Sequence, residues 1–239
     1  MDIGKCFRDA WGLFKLDVGP LIVTAVIAAV IAGVVRLIVV LATGASIAST
    51  SAGWFIGGIG VISGFFASLL LAVVFVLVYA WFIATTLRMI VRRVREHRAA
   101  DFDDLADFSR IGAFAVAAVI LGLIIVIGYA LLIVPGLIFT TFWLFTLPLM
   151  VDKGLGLGDA MTESQRLARE PGYLHTFAVW VVGAIALAIV ASILNWVPLI
   201  GPVLGLLTAP FGMAYVVSMY FQATGQGQIV EAALQEGGA

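Results

Sequence analysis

The densest group of potential ligand-binding side chains is a run of arginines near the middle of the sequence. Five arginines fall within eleven residues: Arg88, Arg92, Arg93, Arg95 and Arg98. A guanidinium group is always charged and presents a planar set of donors that suits phosphate and carboxylate oxygens. The sequence therefore predicts contact with an anionic lipid headgroup or another anionic ligand at Arg88, Arg92, Arg93 and Arg95. The same arginines are a topology signal, because basic residues beside a membrane span stay cytoplasmic.

A second candidate is Arg36, the only Asp, Glu, Lys or Arg inside the long apolar stretches. Ionisable residues at membrane depth are rare and commonly functional, so Arg36 is a candidate for binding an anionic headgroup or substrate near the outer face. The alternative is structural, since Arg36 lies about six residues from the outer end of its predicted helix, within snorkelling reach of the interface. The sequence leaves both interpretations open.

The sequence contains no arrangement typical of an enzyme. It lacks the H-E-x-x-H and G-x-S-x-G motifs, the P-loop and the dinucleotide fingerprint. Its single cysteine, Cys6, permits no internal disulfide and no thiolate metal site. No predicted span contains Asp or Glu, so the carboxylate relay of proton-coupled carriers is missing. We therefore expect no catalytic residue, no cofactor and no metal site.

Composition places the chain in the membrane. Hydrophobic residues make up 63% of the 239 residues and charged residues only 11%, against about 25% charged in soluble domains. The mean hydropathy is +1.16. We predict an all-α integral membrane protein whose partners are membrane lipids and other membrane proteins, with no role for nucleic acid.

Apolar runs predict six transmembrane helices, since a bilayer core of about 30 Å needs about 20 residues of helix. The predicted spans cover residues 21–42, 62–86, 111–134, 137–150, 173–196 and 204–223. Residues 43–53 are predicted to form an uncharged loop, and residues 54–64 an outer interfacial or partly re-entrant segment. The tail from Gly225 is predicted to be short and polar.

Three shorter segments show the i, i+3, i+4, i+7 apolar spacing of amphipathic helices. They cover residues 2–17, 102–109 and 157–169. We expect the first to lie in the headgroup plane, with Phe7 and Phe14 on its apolar face and Asp9 on its polar face.

Aligning Ile3 with Leu157 reveals a repeat. It pairs Cys6 with Ala160, Phe7 with Met161, Asp9 with Glu163, Ala10 with Ser164, Leu13 with Leu167 and Lys15 with Arg169.

The predicted architecture is therefore one membrane domain of three units, residues 1–98, 99–151 and 152–239. Each unit is an interfacial amphipathic helix followed by a transmembrane hairpin. Because the charged residues other than Arg36 lie at one set of span ends, both termini are predicted to be cytoplasmic in a bacterial inner membrane. Pro135 and Gly136 are predicted to form the corner between the third and fourth spans, where proline stops a helix and glycine tolerates a tight reversal.

Several of these segments resemble a known membrane module. They are the Ile3-Gly4 start of the first amphipathic helix, the IVPGLI corner at 133–138, the LPLMV exit at 147–151, and Gly154 followed by Ala160 and Ser164. Together they resemble the membrane domain found with glycerophosphoryl diester phosphodiesterases and in stand-alone bacterial multi-pass proteins, a mostly uncharacterised family. The resemblance implies the membrane module without the catalytic barrel, because six spans use the whole length.

Two functions follow as hypotheses. The first is a non-catalytic multi-pass inner-membrane protein that contacts lipid or partner membrane proteins. The alternative is a small permease or lipid transporter with a groove between the repeats, which requires a polar path through the spans. The residues available to line such a path are Arg36, Thr85, Thr86, Thr140, Thr141, Ser192 and Asn195.

The predicted topology is testable by cysteine labelling. Single substitutions Ser49→Cys, Gly136→Cys and Val197→Cys should react with an impermeant maleimide added outside the cell, whereas Ala99→Cys should be shielded, because Ala99 follows the arginine run. Labelling of Ala99→Cys from outside would invert the topology.

Overall fold

The structure is a computed structural model. It describes residues 1–50, 54–100, 105, 110–170, 172–195 and 207–237. Within these ranges, only the backbone is described at residues 36, 39–40, 42–50, 54–68, 70–71, 131, 133 and 194–195.

The regular secondary structure of the described residues is helical, as predicted. The principal helices are α1 Ile3–Leu16, α2 Val18–Thr50, α3 Trp54–Glu96, α4 Ile111–Leu131, α5 Ile133–Phe142, α6 Thr146–Asp152, α7 Leu157–Arg169, α8 Tyr173–Asn195, α9 Thr208–Ala223 and α10 Gly227–Gly237.

Five segments of the described chain are long and apolar enough to cross a membrane. They are Val18–Val35, Ala72–Glu96, Ile111–Ala130, Val134–Asp152 and Tyr173–Ile193. By length and composition the chain is thus a multi-pass helical membrane protein. For the sixth predicted span, α9 supplies 16 residues, and residues 196–206 before it lie outside the described part of the chain.

The first two long helices exceed their predicted bounds. α2 has 33 residues and α3 has 43, which correspond to about 50 and 65 Å of helix against a core of about 30 Å. Residues 43–50, predicted as a loop, continue α2, and residues 54–64, predicted as a separate outer segment, form the start of α3. The two helices pack along each other. A continuous helix satisfies every interior backbone group, which outweighs the low helix propensity of the glycines in α3.

The chain reverses at Leu132, which is extended at φ −165° and ψ 151° between α4 and α5. The predicted corner lies three residues later, at Pro135 and Gly136, and these residues instead occupy the first turn of α5. There the missing N–H of proline costs nothing, because the first N–H groups of a helix have no intrahelical acceptor.

Gly136 is required for close approach of two helices rather than for a positive φ. A Cβ added there would lie 2.5–2.8 Å from ring carbons of Tyr129 in α4. Gly128 faces it, and a Cβ at Gly128 would lie 3.0 Å from the Cα of Gly136. The close packing of α4 against α5 therefore depends on two glycines that face each other.

The fourth predicted span is a broken helix. It is interrupted by a turn at Trp143, Leu144 and Phe145, between α5 and α6. The buried Ser164 of α7 bridges the break: its Oγ donates to the Phe142 carbonyl at 2.7 Å and accepts from the Phe145 N–H at 3.1 Å. A helix break within an apolar segment needs such partners, because lipid offers none. α7 itself has the predicted bounds.

The amino-terminal helix α1 lies across the ends of the spanning helices. At one end the Met1 carbonyl lies 2.6 Å from Nε2 of His175 in α8, and the Asp2 N–H donates to Gln222 Oε1 of α9 at 3.1 Å. At the other end Asp17 Oδ1 accepts from the Ala100 N–H, beyond α3, at 3.1 Å. This transverse course suits an interfacial helix, and its depth in the headgroup plane stays a prediction.

The placement of Asp9 on the polar face of α1 is wrong. Asp9 is only 5% exposed, and its Oδ2 lies 3.4 Å from Ser218 Oγ and 3.5 Å from Gln222 Nε2 of α9. Burial raises the pKa of Asp9, although the charge of Lys5 and these two hydrogen bonds act against the shift. The apolar face of α1 packs on α9, and that contact extends far enough round the helix to cover Asp9 as well.

Three of the aligned pairs of α1 and α7 have matching burial. The aligned pairs Cys6 and Ala160, Ala10 and Ser164, and Leu13 and Leu167 are all at most 2% exposed. α7 packs on α5 and α6, whereas α1 packs on α9. The third predicted copy, residues 102–109, lies outside the described part of the chain except for Leu105, whose carbonyl accepts from Trp81 Nε1 of α3 at 3.1 Å. The division into three units remains a prediction.

The tail from Gly225 is predicted to be short and polar, and its residues Gly227–Gly237 form the amphipathic helix α10. Val230 and Ala233 are buried on its inner face. Lys5 of α1 and Glu231 form an ion pair at 2.8 Å, and His97 Nδ1 lies 2.9 Å from Glu236. The spacing of Ile229, Val230, Ala233 and Leu234 is the sequence signal for this amphipathic helix. α10 therefore contacts both α1 and the residue that follows α3.

The close packing at Gly128 and Gly136 leads to a stability prediction. Gly136→Ala should lower the free energy of unfolding in detergent by about 1–3 kcal/mol, because the new methyl group overpacks against Tyr129. The matched control is Gly122→Ala in α4, where an added Cβ meets nothing within 4 Å. Unfolding midpoints from circular dichroism measure both. Equal midpoints for the two variants would show that α4 and α5 do not require this close contact.

Candidate anion-binding site

A basic cavity of about 520 Å³ lies between α3, the start of α4 and the end of α6. Its lining includes five cationic side chains and two carboxylates. The cationic residues are Arg88, Arg92, Arg95, Arg110 and Lys153, and the acidic residues are Glu96 and Asp152. The lining thus carries a positive excess and suits an anion.

The structure brings three of the predicted arginines to this cavity. Arg88, Arg92 and Arg95 follow i, i+4, i+7 spacing and share one face of α3. Arg93 lies on another face, where its Nε is 3.8 Å from Asp17 Oδ2 of α1. Arg36 lies in α2, and its side chain is outside the description. The sequence group therefore divides into cavity residues and a residue that contacts α1.

A buried carboxylate anchors one wall of the cavity. The side chain of Asp152 is 2% exposed. Arg95 binds it in bidentate fashion, with Nε to Oδ1 and Nη2 to Oδ2 both at 2.7 Å. Tyr220 of α9 donates its hydroxyl to Oδ2 at 2.6 Å. Charge-assisted bonds of this geometry are among the strongest in proteins, so the ends of α3, α6 and α9 meet at Asp152.

Aromatic rings support two of the cavity arginines. Arg95 Cζ lies 5.1 Å from the centroid of the Phe221 ring, and Arg88 Cζ lies 5.8 Å from that of Phe114. Arg88 is only 8% exposed. A guanidinium over an aromatic face is stabilised by the ring quadrupole, which helps to hold both groups in fixed positions.

Arg110 is a cavity residue that the sequence analysis missed. Its Nη1 donates to the Met150 carbonyl at 3.3 Å, and its Nη2 donates to the carbonyls of Gly154 at 3.0 Å and Leu155 at 3.3 Å. It precedes α4 in a left-handed conformation with φ 64°. The sequence feature that could have identified Arg110 is its position as the last charged residue before the third predicted span. Arg110 thereby joins the start of α4 to the chain that leaves α6.

The start of α4 adds to the positive potential of the cavity. The helix has no side-chain cap at its amino-terminal end, and the exposed N–H groups of a helix start favour negative charge. Lys153, at the end of α6, forms an ion pair with Glu163 of α7 at 3.2 Å. The cavity therefore combines guanidinium groups, an ammonium group and a helix start.

The remaining polar groups at this end include a buried thiol and a second buried carboxylate. Burial raises the pKa of the Cys6 thiol to about 11, so the thiol stays protonated near neutral pH. Burial also raises the pKa of Asp17, although the hydrogen bond from the Ala100 N–H and the charge of Arg93 act in the opposite direction. Within the described ranges, no three His, Cys, Asp or Glu side chains cluster to hold a metal ion.

Of the polar residues proposed for a transport path, Thr85, Thr86, Thr140, Thr141 and Ser192 have described side chains. Thr140 and Thr141 donate to carbonyls of their own helix, Gly136 at 2.8 Å and Leu137 at 2.9 Å. Ser192 is exposed on α8. Thr85 and Thr86 are buried in α3, and among the described residues their hydroxyls have no hydrogen-bond partner. These positions give no support to a polar groove.

Comparison of the chain with protein-family models, with curated proteins and with solved structures finds no match. The similarity to the phosphodiesterase-associated membrane domain therefore rests on the sequence segments alone.

The hydrogen bond from the Tyr220 hydroxyl to Asp152 can be tested by mutation. Tyr220→Phe removes one charge-assisted hydrogen bond to a buried carboxylate and should lower the free energy of unfolding by about 1.5–3 kcal/mol. Tyr79→Phe is the control, because Tyr79 is 52% exposed and should tolerate the loss. Both are measured by thermal unfolding in one detergent. If Tyr220→Phe has the same melting temperature as the unmodified protein, the hydrogen bonds from Arg95 are sufficient to satisfy Asp152.

Proposed function

We propose that this chain is a non-catalytic, multi-pass protein of a bacterial inner membrane, and that its basic cavity binds the phosphate-bearing headgroup of an anionic lipid. The observation that carries the proposal is the convergence of Arg88, Arg92, Arg95, Arg110 and Lys153 on one cavity. Its volume of about 520 Å³ falls within the range of about 300–1,000 Å³ for small-molecule sites.

The position of the cavity supports a lipid as the ligand. It lies at the end of the molecule where α1, α7 and α10 also lie, joined to the spanning helices by contacts at His175, Ser164 and Glu236. By the positive-inside rule this end is cytoplasmic, and so are both termini. The cytoplasmic leaflet carries anionic lipid, which is attracted by about 1 kcal/mol for each Lys or Arg near the surface.

Fixed geometry distinguishes this cavity from a diffuse basic surface. Arg95 is held by Asp152 and Phe221, Arg88 is buried over Phe114, and Arg110 is held by backbone carbonyls. Side chains that are already ordered lose less entropy when a ligand binds. A headgroup in this cavity would contact α3, α4 and α6 together, and so stabilise their arrangement.

Contact with partner membrane proteins is the second part of the proposal. α8 presents large apolar side chains to the surface, with Leu174 77% and Ile193 63% exposed. Such a face is covered by acyl chains or by the helices of another protein. The resemblance to a membrane module that accompanies an enzyme favours a scaffold that carries no activity of its own.

Headgroup binding can be tested with short-chain lipids in detergent. We expect dioctanoyl phosphatidylglycerol to raise the melting temperature of the full chain in a saturable way, and dioctanoyl phosphatidylcholine to have little effect. Arg92→Gln should weaken the phosphatidylglycerol affinity about tenfold, as expected for the loss of about 1.4 kcal/mol of a charged interaction.

Arg98→Gln is the matched control, because it removes the same charge from the same arginine run outside the cavity lining. Equal weakening by both variants, or an equal response to both lipids, would show a diffuse electrostatic effect and reject the cavity. Inorganic phosphate is the third ligand. Binding as tight as that of phosphatidylglycerol would assign the cavity to free phosphate rather than lipid.

A further inference from the structure

A second cavity, unrelated to the basic one, lies beneath α1. It has a volume of about 410 Å³ and is enclosed by α1, α8 and the first turns of α9. Its lining is apolar apart from Thr208 and includes Phe7, Trp11, Phe14, Leu187, Val190 and Phe211. Trp11 is 52% exposed and Val190 48% exposed, so the rim of the cavity reaches the protein surface.

The cavity extends from the plane of α1 into the depth of the spanning helices. Phe211 lies eleven residues before Gln222, which contacts the start of α1, and this separation is roughly 16 Å along α9. Val190 lies fifteen residues beyond His175, which also contacts the start of α1, or roughly 22 Å along α8. An occupant would run from the membrane interface into the hydrocarbon core.

Aromatic rings form the roof of the cavity. Phe7, Trp11 and Phe14 each lie within 6.5 Å of Phe211, measured between ring centroids. Aromatic pairs pack favourably at this separation. The opening beside them is lined almost entirely by apolar side chains, which suits a chain of methylene groups.

Two exposed cations stand above the same rim. Arg8, Trp11 and Lys15 follow i, i+3, i+7 spacing on the outer flank of α1, and both cations are exposed. Lys15 Nζ lies 5.2 Å from the Trp11 ring centroid. A positive rim directly above an apolar cavity matches the two parts of an anionic phospholipid.

We propose that the cavity under α1 holds one acyl chain of an anionic phospholipid, with the phosphate at Arg8 and Lys15. Trp11 lies between the two parts, with its ring against the chain and its edge at the interface, a position that tryptophan favours in membranes. The bound lipid would tie α8, which otherwise makes few contacts with α1 and α9, to the rest of the molecule.

Tryptophan quenching tests this site directly. The variant for this experiment is the full chain with Trp11 as its only tryptophan; Phe replaces Trp54, Trp81, Trp143, Trp180 and Trp196. Phosphatidylglycerol with a dibrominated acyl chain is titrated into this variant in detergent. We expect Trp11 fluorescence to be quenched in a saturable way at about one lipid per protein. Quenching that rises in proportion to the bulk lipid fraction would mean ordinary lipid contact and would overturn the proposal.

Cavity-filling variants supply the control. Ala186→Phe places a ring in the cavity and should raise the half-saturating lipid fraction at least about tenfold, whereas Ala188→Phe on the exposed side of α8 should leave it unchanged. Arg8→Gln and Lys15→Gln should each weaken phosphatidylglycerol about fivefold relative to phosphatidylcholine.

The variant with a single tryptophan could fail to fold, so a second measurement uses the chain that keeps all its tryptophans. In that chain, native mass spectrometry detects the bound lipid. Retention of phosphatidylglycerol should be lower in Ala186→Phe than in Ala188→Phe. Equal retention together with equal quenching would reject the acyl-chain site, whatever the outcome for the basic cavity.

Discussion

The carboxylate of Asp152 is the group on which the arrangement of the helices depends. A buried charge costs several kcal/mol unless donors replace the lost water. Asp152 receives those donors from α3, through Arg95, and from α9, through Tyr220. The ends of three helices must therefore meet at one point. Because Arg88 and Arg92 share a helical face with Arg95, the contact that satisfies Asp152 also carries them to the basic cavity.

Polar contacts of this kind recur wherever an amphipathic helix meets a spanning helix. Ser164 of α7 satisfies the broken fourth span, and Asp9 of α1 lies beside Ser218 of α9. In lipid, helices gain little from burying apolar surface against each other, so small residues, close packing and hydrogen bonds decide their positions. At Gly128 and Gly136, close packing of small residues, rather than a hydrogen bond, positions the two helices. The short helices α1 and α7 are therefore structural parts of the domain, even though their sequences are typical of surface helices.

The two cavities are complementary in chemistry and separate in position. One is basic and lies between α3, α4 and α6, and the other is apolar and lies under α1 between α8 and α9. A phospholipid combines the same two chemistries in one molecule. In the proposed function, these surfaces hold ordered lipid around the helices, and ordered lipid in turn holds α8, which makes few contacts with the other helices. This role requires fixed charge and fixed shape, and it requires no reacting group.

The sequence by itself determined the helical membrane class, the bounds of α7, the apolar face of α1 and the arginines as the main charged group. These features are local: they depend on hydropathy, on helical periodicity and on charge along neighbouring residues. Only the tertiary structure decided that Arg93 faces α1 while Arg88, Arg92 and Arg95 face the cavity. Likewise, it decided that Asp9 is buried, that Arg110 joins the site, and that the corner falls at Leu132. Each of these depends on contact between residues far apart in the chain, and hydropathy and periodicity do not encode which helices meet.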